Sequence, residues 1–496
     1  PLAGLSFPDR NDTHVIPLTT EALPARIEGL RSLDCLILAG VDTTALLPAQ
    51  AEALHSWVAL GGRLLIGGGA GAARTMAGLP ETLRPVTVGD TVELDTLPGL
   101  AEFVDQPVSA PGPFLVTWPD PADPTTSSAQ PVIVQDNHPL LVQKTLGKGW
   151  IAYLALDPTA APFNAWAGTL AFWTKLLEPG SALPPGMPTD ISSRALEAEN
   201  MQNPLNNLPA LKLPSLDWLA LLLGVYIALV GPINYLALRA WRRLAWAWLT
   251  IPVLTLTFSA GGIALGYRLR GSDIVINQIS IVSLTSDGAA SPARSYVGLF
   301  SPTRAGYDVT ITGGSGNSAG QVEEYSPADR GGPLVSLLPA APWLSRQPAY
   351  GGQQSLHIAQ SAPVRVHDID VNQWALRAFQ VENVVEAVTL EITVTLDHEL
   401  ARGTLYNGLD QPLTDIIIVG GSRYAHLGDW AAGERRAFEA VWKPMGDAFP
   451  MSVFNPNFNS PNAPPRESMV QMEVMDIYLQ RGQMTLDELT LFAWGS

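Results

Sequence analysis

Trp218–Leu238, WLALLLGVYIALVGPINYLAL, and Leu244–Tyr267, LAWAWLTIPVLTLTFSAGGIALGY, are uncharged apolar runs separated only by Arg239-Ala240-Trp241-Arg242-Arg243. An apolar run of about 18 or more residues is long enough to cross a bilayer as a helix at about 1.5 Å per residue. Two such runs joined by so short a connection must turn back on themselves. The sequence therefore predicts a helical hairpin in a membrane, over residues 216–268, with the polar regions before and after it on the same side. A buried helical pair in a soluble core would have to be covered all round, because neither run has a polar face.

Charge sets the expected orientation. Arg239, Arg242 and Arg243 form the tip without an acidic residue, whereas the opposite flanks mix Lys212 with Asp217, and Arg268 and Arg270 with Asp273. Short cytoplasmic loops are enriched in Lys and Arg. The tip is expected in the cytoplasm, and both polar regions outside it. Trp218, Trp241, Trp246 and Trp248 lie near the helix ends, where aromatic side chains anchor at the interface.

Working outward, 496 residues leave room for three or four domains. A net charge of −17 argues against nucleic acid as a partner, because phosphate binding needs a concentrated basic face. The single cysteine, Cys35, excludes an intrachain disulfide and a multi-cysteine zinc site. The chain opens on Pro1 with no signal peptide and closes on a strand-like Leu489–Trp494. We expect it to be a piece of a longer protein whose export signal or further membrane helix lies outside it.

Residues 1–180 read as an α/β domain. Cys35–Ala39 and Leu64–Ile66 are short apolar runs of the kind covered on both faces, and Trp150–Leu156 is a third strand. Pro48–Leu60 reads as a helix with Pro48 at its first position and Leu54, Trp57 and Val58 on one face, stopped by Gly61-Gly62. A later helix places Trp166, Leu170, Trp173 and Leu177 on one side. Strand, helix, strand in that order predicts a parallel sheet.

Residues 181–215, with Pro184, Pro185, Pro188, Pro204, Pro209 and Pro214, read as a linker. Residues 271–496 read as β structure, in one or two antiparallel sandwiches divided near residue 380. Leu390, Ile392, Val394 and Leu396 alternate with polar residues as in a half-buried strand. Ile274–Val282 and Ile416–Val419 are further strands, and Asn407-Gly408, Gly420-Gly421 and Ala432-Gly433 are turns. Gly313–Gly320 reads as a Gly/Ser-rich loop, and Thr485–Glu488 as a helical turn or loop.

Three N-terminal segments carry a resemblance. Leu33–Asp42 is similar to a strand ending in a Gly-Asp loop, Trp57–Gly69 to a helix, double glycine and strand, and Gly147–Pro158 to a closing strand. Together they resemble the class I glutamine amidotransferase-like domains of bacterial membrane proteins, with a flavodoxin-like parallel sheet implied. Val230–Arg239 and Thr250-Ile251-Pro252 resemble a set of uncharacterised bacterial envelope proteins in which such a domain, a hairpin and a β-sandwich recur. The motif resemblance covers about residues 1–270, and the remainder follows by domain order alone.

The departure from that family matters more than the match. Its active members are expected to have a cysteine on a sharp strand-to-helix turn, supported by His and Glu. Here that turn is Gly67-Gly68-Gly69-Ala70-Gly71, with neither Cys nor Ser, and Cys35 sits inside an apolar strand. There it is a small hydrophobe with a raised pKa and little reactivity. No residue is assigned a catalytic role, and no metal or cofactor is expected.

Ligands of open parallel sheets bind at the carboxyl ends of the strands, where Asp42, Gly67, Gly68, Gly69 and Asp157 are the pocket candidates. The glycine segment lacks the Lys-Ser/Thr ending of a phosphate loop and reads better as a tight packing turn. Asp157, before Pro158, reads better as a turn cap than as an acid or base. His138 is assigned to a turn-rich loop, and His367 with Asp368 and Asp370 to a polar strand edge with alternating sides. Within the hairpin, Asn234 is expected to bond across the helix interface. Gly231, Pro232 and Pro252 are assigned to the same packed pair.

The chain is thus expected to be a non-enzymatic membrane protein that presents an α/β domain and a β-sandwich region at the cell envelope to a ligand or protein partner. Two other readings stand beside it: a hydrolase with a relocated nucleophile near His138, and an accessory subunit of an export or ABC-type complex.

Overall fold

The computed structural model describes residues 14–108, 113–122, 129–177, 201, 205, 216–270, 273–284, 291–311, 333–338, 357–360, 363–373, 375–385, 390–446, 449, 451–454, 466–480 and 489–495. The linker expected over 181–215 falls outside these apart from Met201 and Leu205. Gly313–Gly320 and Thr485–Glu488 also lie outside them.

The N-terminal region is built on β1 (Cys35–Leu38), β2 (Arg63–Gly67), β3 (Val88–Leu94), β4 (Phe114–Pro119), β5 (Gln130–Gln135), β6 (His138–Leu146) and β7 (Gly149–Leu154). Five of these form one sheet in the order β1-β2-β7-β6-β5, and β3 pairs separately with β4. β1, β2 and β7 are mutually parallel, whereas β6 and β5 run antiparallel to their neighbours. The wholly parallel sheet expected from the sequence is therefore a mixed one. The cause is local. Two-residue links, Asp136-Asn137 and Gly147-Lys148, join β5 to β6 and β6 to β7, and a link that short permits only antiparallel pairing. Asp136 and Asn137 both take positive φ, 49° and 64°, as a tight hairpin turn requires. His138, assigned to a loop above, is consequently the first residue of β6.

Helices α1 (Ile27–Leu30), α2 (Pro48–Ala59), α3 (Ala72–Ala77), α4 (Pro98–Val104) and α5 (Thr169–Leu177) complete the region. α2 is the β1–β2 crossover and begins with Pro48 where a proline costs no helical hydrogen bond. Gln50 Oε1 accepts the Leu47 N–H at 2.8 Å, and Leu54, Trp57 and Val58 are buried. Gly61, at φ 117°, ends the helix in a conformation open to glycine. In α5 the buried face is Thr169, Phe172 and Trp173, whereas Leu170 is exposed. The face expected from the sequence is shifted because Phe172 packs edge-on against Phe163, 5.2 Å between ring centres, a favoured aromatic arrangement.

The apolar helical pair follows. α6 (Leu216–Ala228) passes through one π-helical turn, Leu229–Ile233, into α7 (Asn234–Ala240), and after the reversal α8 (Ala247–Arg270) runs for 24 residues. The π turn contains Pro232, which has no N–H to donate, so the helix widens there instead of breaking. Ala220–Ala240 and Leu244–Ala264 are long and apolar enough to cross a membrane.

The β region forms two sheet pairs. The first contains β8 (Val275–Val282), β9 (Ser291–Ser301), β10 (Ala305–Ile311), β11 (Leu334–Leu337), β12 (His357–Ala359), β13 (Val364–Val371) and β14 (Ala375–Val385). Antiparallel sheets β11-β14-β9-β8 and β10-β13-β12 enclose Leu299, Phe379 and Val381 from one and Val364, Val366 and Ile369 from the other. The second pair contains β15 (Leu390–Leu396), β16 (Leu400–Asn407), β17 (Leu413–Gly420), β18 (Arg423–Trp430), β19 (Arg435–Val441), β20 (Lys443–Pro444) and β21 (Leu489–Gly495). Sheets β15-β16-β19 and β20-β18-β17-β21 share Leu405, Ile416, Ile418 and Trp430. The division placed near residue 380 falls instead after β14, which runs unbroken to Val385.

Two further helices, the short α9 (Met451–Phe454) and the longer α10 (Arg466–Gln480), lie against these sheets. α10 joins the two pairs. Val470 and Val474 pack with Ile279 and Tyr296 of the first, and Met472 and Met475 with Ile417 and Val419 of the second. The unbroken run Ile416–Val419 now has its reason. Ile416 and Ile418 face the sandwich interior, while Ile417 and Val419 face the helices.

Candidate functional site

The carboxyl ends of β1, β2 and β7 lie side by side, in register at Leu38 with Ile66 and at Gly67 with Leu154. The structure brings all five pocket candidates to this edge. Asp42 and Asp157 build the same turn twice. Asp42 Oδ1 accepts the Thr44 N–H at 3.0 Å and its hydroxyl at 2.6 Å. Asp157 Oδ1 accepts the Thr159 N–H at 2.8 Å and its hydroxyl at 2.7 Å. At Asp42 such bonds favour the ionised form. The Thr44 hydroxyl and then its amide hold the Asp42 carboxyl below its ordinary value.

Gly67–Gly71 threads between these turns as a packing element. Gly68 N–H donates to Leu154 O at 2.7 Å and Leu156 O at 3.0 Å, and Gly69 N–H donates to Ala155 O at 3.3 Å. Donors so engaged cannot cradle an anion. A Cβ at Gly68 would lie 2.5 Å from the Ala155 carbonyl carbon, and Gly69 has φ 68° with Asp157 directly beside it. The Thr117 hydroxyl donates to Gly69 O at 2.9 Å, tying the loop to β4. Arg74 donates to Gly40 O, so the guanidinium beside Asp42 also holds backbone. Asp42 and Asp157 are thus turn caps lining one edge, and the loop between them is a tight turn.

The other titratable candidates have structural partners. Burial pushes the Cys35 thiol up to about 12, with nearby Arg63 opposing and Asp34 reinforcing the shift, as expected of a thiolate denied water. His138 Nδ1 lies 2.9 Å from Asp136 O, and its ring packs on Trp118 at 5.1 Å. His367 Nδ1 lies 3.5 Å from Asp308. The alternation expected through Asp368 and Asp370 is interrupted, because His367 and Asp368 together oppose Asp308 with Asp368 at φ 57°, the two-against-one pairing of a bulge.

In the hairpin, Asn234 is buried and its Oδ1 accepts the Thr250 hydroxyl at 3.0 Å, a bond from one helix to the other. Tyr226 and Thr255 make a second such contact at 3.2 Å between hydroxyl oxygens, and the Tyr226 ring lies 4.9 Å from Phe258. Sequence reading missed this pair, although Tyr226 is one of few residues in the run that can donate a hydrogen bond. Gly231 does not bring the helices together: a methyl group there would meet nothing within 4 Å. Gly261 and Gly262 are equally open, and an apolar cleft of about 260 Å³ is lined by Leu222, Tyr226, Leu229, Leu254, Phe258 and Gly261.

Residues 389–496, the second sheet pair with α9 and α10, match a family described as a domain of unknown function (DUF8725). No curated protein matches the chain. Solved structures similar to it include the cytoplasmic protein STM3548 from Salmonella typhimurium. That likeness has 20% identity and a TM-score of 0.26, and covers 32% of this chain and 76% of that one. The cytoplasmic protein STM1381 from Salmonella typhimurium LT2 is similar at 22% identity and a TM-score of 0.25, covering 31% and 74%. The exo-beta-1,4-mannosidase Op5Man5 from Opitutaceae bacterium strain TAV5 is similar at 16% identity and a TM-score of 0.20, covering 30% and 26%. At such TM-scores these likenesses carry no argument about what this chain does.

Proposed function

We propose that the chain is a non-enzymatic membrane protein whose helical hairpin holds the α/β domain and the β region on one, extracytoplasmic face of a cell membrane, where they bind a ligand or protein partner. One observation carries the reading. About a tenth of Ala220–Ala240 and none of Leu244–Ala264 is buried within the protein, so two long apolar helices present most of their surface outward. In water that surface would be a severe liability; in hydrocarbon it needs no cover. The polar groups agree, since Asn234 bonds to Thr250 and Tyr226 to Thr255 across the pair.

The binding role follows from how the candidate groups are employed. At the sheet edge Asp42 and Asp157 cap turns, and Cys35 lacks thiolate character. The parallel strands β1, β2 and β7 support the resemblance to an amidotransferase-like domain, while the glycine turn serves packing. Protease accessibility tests the arrangement. In intact cells the polar regions on both sides of the hairpin should be cut, and in inverted vesicles both should be protected. Cleavage of the two on opposite faces would overturn the hairpin. Hydrolysis of an amide, ester or phosphate by the purified chain, lost on Asp157→Ala, would overturn the non-enzymatic role.

A further inference from the structure

We propose that the hairpin tip, Arg239 to Trp248, is a binding site for the phosphate-bearing headgroups of anionic phospholipids. The inference rests on the membrane reading above and names the lipid class that the tip selects. Its first support is charge segregation. The chain carries a net charge of −17, yet no Asp or Glu occurs between Asp217 and Asp273, and three arginines stand within five residues at the reversal. All three are exposed, and among the described residues none of them pairs with a carboxylate. Elsewhere arginines find acids, as Arg402 does with Glu439 at 2.7 Å and Arg435 with Glu391 at 2.6 Å.

Geometry is the second support. α7 ends at Ala240, and the chain reverses with Arg243 N–H donating to Leu238 O at 3.0 Å. The reversal places Arg242 at φ 55°, a conformation that glycine or asparagine adopts at lower cost. An arginine is thus held where the turn alone would favour a smaller residue. Arg243 lies over the Trp246 ring at 5.3 Å. Stacking of that kind leaves the edges of the planar guanidinium free to donate in pairs.

The surrounding side chains decide what kind of anion fits. Trp241, Trp246 and Trp248 are 74%, 51% and 84% exposed, so three solvent-facing indoles share the Arg239–Trp248 stretch with the arginines. Indole rings settle at the junction of headgroup and hydrocarbon. A phospholipid supplies both parts, a phosphate for the guanidinium forks and a glycerol–acyl region for the rings. A free phosphate supplies only the first.

Native mass spectrometry of the full chain in a neutral detergent, with phosphatidylglycerol or phosphatidylcholine added, tests the site. Phosphatidylglycerol should be retained preferentially, and each Arg→Gln substitution should lower that preference by about fivefold. R239Q/R242Q/R243Q should hold the two lipids equally. R239K/R242K/R243K, which preserves charge, should keep part of the preference, and it remains informative where the glutamine variant fails to fold. Equal retention of both lipids by the unaltered chain, or undiminished preference in the glutamine variant, overturns the site. Loss of bound lipid to millimolar inorganic phosphate would show a free-anion site and overturn the lipid assignment. Partition of the unaltered chain into the aqueous phase of a clouding detergent would overturn the membrane reading itself.

Discussion

β2 with β7, and the α6–α8 hairpin, are both predominantly apolar in sequence and opposite in placement. Leu64, Leu65, Ile66 and Ile151–Leu154 are buried without remainder between α2 and the rest of the α/β layer. Leu221, Leu256 and Ile263 in the hairpin are 65%, 70% and 64% exposed. Apolar content alone therefore does not say what covers a segment; run length and the spacing of turns do. A strand of five or six residues bounded by glycines is covered by a helix of its own domain, whereas a run of more than twenty finds no cover of comparable length within the chain. The consequence is an energetic asymmetry that mutation can expose.

Truncation in the α/β core should have the largest effect. Trp173 is 1% exposed and meets Phe163 and Phe172 edge-on. Trp173→Ala should lower unfolding stability by about 3–5 kcal/mol, read from the shift in a urea midpoint in mild detergent. A similar loss should come from the β region. Arg294 lies 3.0 Å from Glu382 within the sheet, and Gln380 donates to the same carboxylate oxygen at 3.0 Å. Arg294→Leu takes the Arg294 guanidinium from a buried carboxylate and should cost about 3–5 kcal/mol. Arg294→Leu with Glu382→Leu should recover most of that loss if the charge, and not the packing, is responsible.

The alkaline limb of stability sharpens the same contrast at Cys35. Its thiol rises from 9.0 in the unfolded chain to about 12 in the native state. The native state therefore holds its proton where the unfolded chain has lost it. The contribution is fully present below pH 9 and is lost as pH rises toward 12. The loss runs at up to about 1.4 kcal/mol per pH unit. Cys35→Ala should flatten that limb. At pH 8 the thiol of the folded chain stays almost wholly protonated. Maleimide labelling of the folded chain should accordingly be far slower than that of the urea-unfolded chain.

These residues also show how far the sequence is legible. The three parallel strands, α2 with Pro48 at its start, and the two apolar helices all follow from short-range pattern. Asn234 is readable because an amide in an apolar helix has few places to go. The outer hairpin β5–β6 escapes notice because Asp136-Asn137 takes the positive-φ pair without the Asn-Gly signature. α10 escapes for a different reason. Val470 and Val474 point to one sheet pair and Met472 and Met475 to the other, so no single apolar face stands out. Gly231 invites over-reading, since a small residue permits close approach without requiring it. At the sheet edge strand order places the aspartates and the Asp-Pro and Gly-rich stretches already read as turns, whereas the bonds to each Oδ1 and from the Gly68 and Gly69 N–H groups come from the geometry.

Within the hairpin the expected effects are small, and their ranking tests the membrane reading. Asn234→Leu removes the bond to Thr250. That loss should cost about 1 kcal/mol, read as reduced interhelical proximity between spin labels on α7 and α8. Leu256→Ala should cost less than about 0.5 kcal/mol in detergent, because its side chain is already exposed and its removal leaves no cavity. A leucine truncation in a soluble core costs several times as much. A Leu256→Ala penalty approaching that of Trp173→Ala would mean that this helix is covered by protein after all, from a second chain or a partner. Its near-neutrality, beside the sensitivity of Asn234, would leave lipid as the surface that α8 meets, with the polar pair holding the helices in register.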